Sequence, residues 1–281
     1  MMKIIPTTFA LFLSLLNLAH GQMYKVPTNG DDIIGELIII EVGKGDRLEK
    51  IAQNYNISYQ ELRIANPGIP NIIRADAEII IPSLYILPPV EYREGIVVNL
   101  AEPRLYYFTP DGKYVFTAPV AVGRMGWRTP LFEGKVVRKA VNPIWVPPES
   151  IRNHYLNKYG ETLPDFISPG PDNPLGNYAL YLSENRILIH GTNDERTIGK
   201  YISSGCIRMY NNDIQTLFRM VQRNAQVAVI HHSVKIGEHN GDFYIEAHPA
   251  ILNHNHELIS NEHNRTDVNI INQNGIPYIA Y

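Results

Sequence analysis

Apolar and polar positions along the chain repeat with two different periods. Leu37–Val42 and Ile79–Ile81 are short apolar runs of strand type. Between them Leu48, Ile51, Ala52 and Tyr55 recur at helical spacing, with Asp46 placed as an N-cap. Ser58 opens a second helix carrying Leu62 and Ile64. Asn66-Pro67-Gly68 ends it, because proline lacks the N–H and glycine tolerates left-handed geometry. The pattern predicts a small α+β unit of order strand, helix, helix, strand over residues 38–83. Residues 84–94 contain Pro88-Pro89 and read as an extended, semi-rigid linker.

From Gly95 the period shortens to that of strands. "GIVVNLAEPRLYYFTPDGKYVFTAPVAVG" is rich in β-formers, with a hairpin turn expected at Pro110-Asp111-Gly112. "KVVRKAVNPIWVP" is a further strand, "NYALYLSENRILIH" a hairpin and "QVAVIHH" a returning strand. Two helices interrupt them. One spans 149–158; the other follows Asp213 as cap, with Ile214, Leu217, Phe218 and Val221 on one face. Strands with so few intervening helices predict a mainly β fold, an antiparallel sandwich or barrel, over residues 95–233. Residues 234–281 form a terminal hairpin followed by an Asn- and His-rich polar tail. Its His254, His256 and His263 match no structural zinc spacing and read as solvated.

Composition narrows the function classes. The chain has 281 residues, 44% hydrophobic and 19% charged, with a net charge of −3. No dense basic block argues for nucleic acid or an anionic membrane surface. Lys3, the apolar run Phe9–Leu18 and the small residues Ala19 and Gly21 make residues 1–21 a signal peptide, cleaved before Gln22. No later run approaches the ~20 apolar residues of a spanning helix. The mature protein is therefore expected to be soluble and outside the cytoplasm, without a transmembrane segment.

Export makes the cysteine content unusual. Cys206, in "SSGCIRM", is the single cysteine. In an oxidising compartment a structural cysteine has a partner, so a lone one is either a buried small hydrophobe or a working thiol. A nucleophilic thiol needs a base. His190 ends the apolar run Ile187–Ile189 and precedes Cys206 by 16 residues, a spacing that permits contact between a strand end and a returning loop. Gly205 allows close backbone approach. The N–H groups of Gly205 and Cys206 are candidate oxyanion donors. Arg208 offers a cation that favours thiolate or holds a substrate carboxylate, unless it serves only as a surface ion pair.

Two family resemblances rest on these residues. Gly45-Asp46-x-Leu48, Ile51-Ala52, Tyr55, Leu62, Ala65-Asn66-Pro67 and Ile81-Pro82 resemble a LysM domain, a peptidoglycan glycan-binding module. Arg47 stands there for the usual threonine and Asp76 for the usual glycine. "ILIHGTNDERTIGKYISSGCIRMYNNDI" resembles the active-site segment of the L,D-transpeptidases of the YkuD family. It matches at His190, Gly191, Thr192, Ser203, Gly205, Cys206 and Arg208. "NLAEPRLYYF", "GWRTP" and "GPDNPLGNYALYL" are similar to other parts of that domain, and the terminal hairpin to the extension of its Gram-negative periplasmic subgroup. Ser204 departs from a frequent histidine, and Phe132 from a frequent glycine after Thr-Pro.

The second resemblance implies a β-sandwich transpeptidase domain and a periplasmic, cofactor-free and metal-free acyltransferase. Cys206 is then the nucleophile and His190 the base. The Gly191 carbonyl orients the imidazole, with Asp194 as the rival orienter. Ser203, Ser204, Gly205 and Arg208 line the substrate and oxyanion surroundings. The substrate is the tetrapeptide stem of peptidoglycan. The acceptor is a stem amine giving 3–3 crosslinks, an outer-membrane lipoprotein, or water, which would make a carboxypeptidase. A wall-binding protein with an inert catalytic domain is the non-enzymatic alternative.

Overall fold

The computed structural model describes residues 21–248 and 278–280. The leader, including Phe9–Leu18, and the tail histidines His254, His256 and His263 lie outside the described residues. In chain order the elements are β1 (Gln22–Lys25), β2 (Ile33–Val42), α1 (Leu48–Asn54), α2 (Tyr59–Ala65), β3 (Ala77–Ile86), β4 (Gly95–Asn99), β5 (Arg104–Phe108) and β6 (Tyr114–Pro119). There follow β7 (Val122–Gly123), β8 (Phe132–Val141), α3 (Glu149–Tyr159), β9 (Tyr178–Leu182), β10 (Leu188–His190), β11 (Tyr201–Ser203) and β12 (Ile207–Arg208). The last are α4 (Asn211–Met220), β13 (Gln226–Ile230), β14 (Val234–His239), β15 (Asp242–Ala247) and β16 (Tyr278–Ala280).

The fold is mainly β. One curled nine-stranded sheet has the order β1-β6-β5-β4-β13-β8-β9-β10-β12. The hairpins expected from the turn residues form: β5 pairs β6 around Pro110–Gly112, and β9 pairs β10 antiparallel. Two pairings correct the expectation of an antiparallel sheet. β13 lies parallel to β4, and β12 lies parallel to β10. Each parallel strand returns through a long connection, which local alternation of residues cannot signal. The main core joins Ile96, Val98, Leu105 and Phe116 to Leu180, Ile189 and Ile207, and α4 closes it with Ile214 and Leu217, followed by Val221 at its C-cap. Burying that single apolar stripe is what makes α4 helical in place.

Both expected helix caps at aspartate are corrected. Asp46 accepts the Gly43 N–H (2.9 Å), and Arg47 occupies the N-cap of α1 without a side-chain bond. Asp213 lies inside the first turn of α4, fully buried, and Tyr210 holds the N-cap position. Ser58 does cap α2, in a reciprocal box with Glu61.

The α1–α2 module has its own core, built on Leu48, Ile57, Leu62, Ile73, Ile79 and Ile81. The following segment is no spacer. β2 and β3 pair without interruption from Val42↔Ala77 to Ile33↔Ile86. Tyr85 and Leu87 are buried with Val97, Tyr106 and Phe108 of the large sheet. Arg104, 1% exposed, pairs with Glu61 of α2 at 3.1 Å, and Gln53 donates to Glu195 (2.7 Å). The module is therefore packed onto the sheet.

A buried ionic cluster locks the terminal hairpin to the same junction. Lys235 of β14 donates to Glu102 (2.9 Å), to the Ile86 carbonyl (2.7 Å) and to Tyr106 Oη (3.2 Å), and pairs with Glu246 at 3.0 Å. Glu246 also accepts the Ile86 N–H (2.7 Å) and bonds His248 (2.6 Å). Burial opposes ionising either carboxyl. At Glu246 the attraction of Lys235 and His248 overcomes burial and keeps the group below its usual range; at Glu102 burial prevails and pushes it up. Glu102, Glu246 and His248 are close enough to share a cation, and the Lys235 ammonium supplies one.

Two outcomes follow from these buried charges. Lys235→Met leaves the carboxylates without their counter-charge and should cost on the order of 3–5 kcal/mol in urea unfolding. A loss below about 1 kcal/mol would show that the cluster is not ionised. Asp213 titrates near 3.8 when unfolded, and burial, helped by Glu195, pushes it up to about 7 in the fold. The folded state thus keeps a proton that the unfolded state releases. Its stabilising effect is complete below about pH 4 and is lost as pH rises towards about 7, by up to ~1.4 kcal/mol per unit. Asp213→Asn should flatten that slope; equal slopes in the two proteins would refute the assignment.

Candidate active site

The parallel pairing of β10 and β12 sets Ile189 against Ile207 and His190 against Arg208. Cys206 directly precedes β12, so the thiol comes to the Arg186–Leu188 stretch just ahead of His190. Its Sγ lies 3.4 Å from the Arg186 carbonyl. The turn into Cys206 is held tightly. Gly205 has φ +109°, a backbone region that side chains disfavour. The Gly205 N–H donates to Ser203 Oγ (3.2 Å), and Ser203 Oγ donates to the Cys206 carbonyl (2.5 Å). Thr129 Oγ1 donates to the Gly205 carbonyl (2.8 Å) and accepts the Gly123 N–H (2.9 Å). Ser203 is thus a turn-forming residue. Of the expected pair of oxyanion donors, the Gly205 N–H is committed to Ser203 Oγ.

His190 is 3% exposed. Its Nδ1 lies 2.6 Å from the Gly191 carbonyl. A carbonyl only accepts, so Nδ1 carries the proton and Nε2 keeps its lone pair. Burial, with Arg208 adding repulsion, lowers the imidazole to about 3 against the weaker pull of the Gly191 carbonyl. The ring is therefore neutral at ordinary pH. Asp194 is not its partner: it forms an ion pair with Arg196 at 2.7 Å and caps the turn at Glu195–Thr197. Asn211, at the start of α4, fixes the same loop from behind. It accepts the Thr192 N–H (3.1 Å) and donates to the Thr192 carbonyl (2.8 Å). A Cβ at Gly191 would collide with Asn211 Oδ1, so the glycine is required by that close approach.

Burial also pushes the Cys206 thiol up, against the Leu188 backbone and Arg208. Thiol and imidazole are thus both neutral at rest. Arg208 loses some basicity to burial, and its buried Nε has no hydrogen-bond partner among the described residues. Ser204 Oγ accepts from Arg124 Nη1 (3.3 Å). Trp127 stacks edge-on against His154 of α3 with ring centroids 5.5 Å apart. A cavity of about 730 Å³ adjoins this region, between α2 and the 122–131 segment. Ile64, Glu61, Arg124, Arg128, Leu131 and Tyr201 line it, whereas the thiol and imidazole do not.

Three residues near the site carry little sequence signal. Thr129 stands inside "GWRTP", whose role is visible only once it meets Gly205. Asn211 is one of two adjacent asparagines before a helix. Arg124 looks like any charge in a polar loop.

Comparison with known proteins identifies the family. Residues 93–229 match the family model of the YkuD L,D-transpeptidase catalytic domain, and residues 40–82 match that of the LysM domain. "Probable L,D-transpeptidase YcfS" of Escherichia coli (strain K12) is 38% identical over 252 residues, covering 87% of this chain and 78% of that protein. "Probable L,D-transpeptidase ErfK/SrfK" of Salmonella typhimurium is 36% identical, covering 90% and 82%. A solved structure of the catalytic domain of the Enterococcus faecium L,D-transpeptidase is 21% identical, covers 49% of this chain and 96% of that one, and has a TM-score of 0.37. At 38% identity across more than three quarters of a relative's length, the chain belongs to the YkuD family of L,D-transpeptidases and carries a LysM domain ahead of the catalytic domain.

Proposed function

We propose that the protein is a cysteine-dependent L,D-transpeptidase of the periplasm. It acts on peptidoglycan tetrapeptide stems through a thioester at Cys206. The observation that carries this reading is the neutral His190, tied through Nδ1 to Gly191 on the strand that pairs with the segment following Cys206.

Cys206 Sγ attacks the carbonyl that follows the diamino acid at the third stem position, and His190 Nε2 takes the thiol proton. The tetrahedral oxyanion is met by the Cys206 N–H. When the intermediate collapses, the bond to D-alanine breaks and His190 returns the proton to the leaving amine. An acceptor amine then attacks the thioester, its proton passes to His190, and the thiol is restored as the leaving group. A stem amine as acceptor gives a 3–3 crosslink, and a lipoprotein amine gives wall attachment. Water gives a shortened stem by the same thioester. Every group in these steps is a side chain or backbone atom of the protein or of its substrate.

The LysM domain supplies affinity for the glycan, and its packing onto the sheet holds that affinity beside the catalytic domain. Export follows from the leader sequence. No helix among the described residues is long and apolar enough to cross a membrane.

Three experiments test the mechanism. Cys206→Ala should yield neither dimeric muropeptides nor tripeptides on incubation with tetrapeptide stems, read by mass spectrometry, with its thermal midpoint unchanged. Dimers from that variant would refute the nucleophile. The pH profile tests the base. Because His190 stays unprotonated down to about pH 3, the acid limb of kcat/KM should fall well below the ordinary histidine value of 6.5. A limb centred near 6.5 would show that the imidazole is charged at rest. His190→Gln should lower turnover by roughly 10²–10⁴-fold without changing the fold.

A further inference from the structure

Arg124 and Arg208 both lie on the segments that flank the turn carrying Cys206. The Arg124 N–H donates to the Ser203 carbonyl (3.0 Å), which brings the residue against the strand leading to Cys206. Its Nη1 donates to Ser204 Oγ and to the Ile202 carbonyl, both at 3.3 Å. Its Nη2 lies 3.4 Å from His154 Nε2, and its guanidinium sits 5.2 Å from the centroid of the Trp127 ring. None of these partners is a carboxylate. Among the described residues, no carboxylate forms an ion pair with Arg124 or Arg208.

The backbone of Arg208, two residues after Cys206, pairs with Ala121 (2.9 Å in each direction), three residues before Arg124, so both arginines belong to the segments that flank the thiol. Arg208 is lowered first by burial and again by Arg124, while Cys206 and Asp194 pull it the other way. Gathering two like charges in a partly desolvated cleft costs energy that an anion between them would recover. Guanidinium groups match the two oxygens of a carboxylate. The Ser204 hydroxyl accepts from Arg124 Nη1 (3.3 Å). The adjoining 730 Å³ cavity, which Arg124 also lines, gives space for the remainder of a peptide.

We propose that Arg124 is a specificity-determining residue, forming with Arg208 a carboxylate clamp beside Cys206. The clamp recognises the free carboxylate that the donor's diamino acid carries next to its side-chain amine. The choice of substrate rests on the function proposed above; the anion site itself does not.

The lone cysteine allows a direct test. Iodoacetate and iodoacetamide alkylate the same thiol and differ by one carboxylate, and the adduct is read as a mass shift. Arg124→Gln should lower the iodoacetate-to-iodoacetamide rate ratio about tenfold, the scale of a lost charge-assisted bond pair, with the iodoacetamide rate within about twofold of wild type. Arg124→Lys should retain most of the ratio. An unchanged ratio in Arg124→Gln overturns the clamp. With tetrapeptide stems, Arg124→Gln should raise KM about tenfold and leave kcat within about threefold when the carboxylate is free. It should change neither when that carboxylate is amidated. Equal losses on both substrates would make Arg124 a loop-positioning residue and also overturn the proposal. A shifted alkylation ratio with no turnover of either stem would uphold the clamp and place the failure with the transpeptidase reading.

Discussion

The parallel pairing of β10 with β12 is the constraint on which the rest of the site depends. It sets His190 opposite Arg208 and delivers Cys206 to the Arg186–Leu188 edge. A parallel neighbour cannot follow its partner through a tight turn, so residues 191–206 must travel out and back. That excursion is anchored at each end. Asn211 clasps Thr192 where the chain leaves His190, and Ser203 and Thr129 brace Gly205 where it returns. The glycines at 191 and 205 are required for different reasons, a close approach and a positive φ. Moving the register by one residue would turn the His190 side chain to the opposite face.

Burial then sets the protonation states. The same low-dielectric surroundings lower the imidazole and raise the thiol, so both rest uncharged. In the proposed mechanism the proton therefore moves during attack, and no thiolate–imidazolium pair exists beforehand. The cation of Arg208 pulls the thiol towards ionisation and pushes the imidazole away from it. It thereby favours a negatively charged sulfur and a neutral base at the same location.

The two modules and the terminal hairpin meet against β4, β5 and β6 of the sheet. Arg104 reaches Glu61 of the LysM domain, and Lys235 gathers Glu102, Glu246 and the backbone of Ile86. Such buried charges are costly to break even where an apolar replacement would serve. They specify one docking geometry, which a Pro-Pro segment alone would leave free. Residues 84–94 read as a spacer because Pro88-Pro89 dominates its composition. Tyr85 and Leu87 are in fact anchors in the shared core, and this shows only once Val97, Tyr106 and Phe108 are beside them.

The sequence by itself determined the local elements and the chemistry available. Helical spacing located α1, α2 and α4, and turn residues located the β5–β6 and β9–β10 hairpins. The lone Cys206 with His190, Gly205 and Arg208 marked the segment of interest, because a working thiol needs a base, a pliant backbone and a nearby charge. Only the tertiary structure decided the parallel partners, the removal of Asp46 and Asp213 from their expected capping roles, and the choice of the Gly191 carbonyl over Asp194 beside His190. It also decided the parts played by Arg124, Thr129 and Asn211. The physical reason is distance along the chain. Periodicity and turn chemistry act over a few residues, whereas these roles come from groups that meet after long excursions, where burial and a shared partner set the outcome.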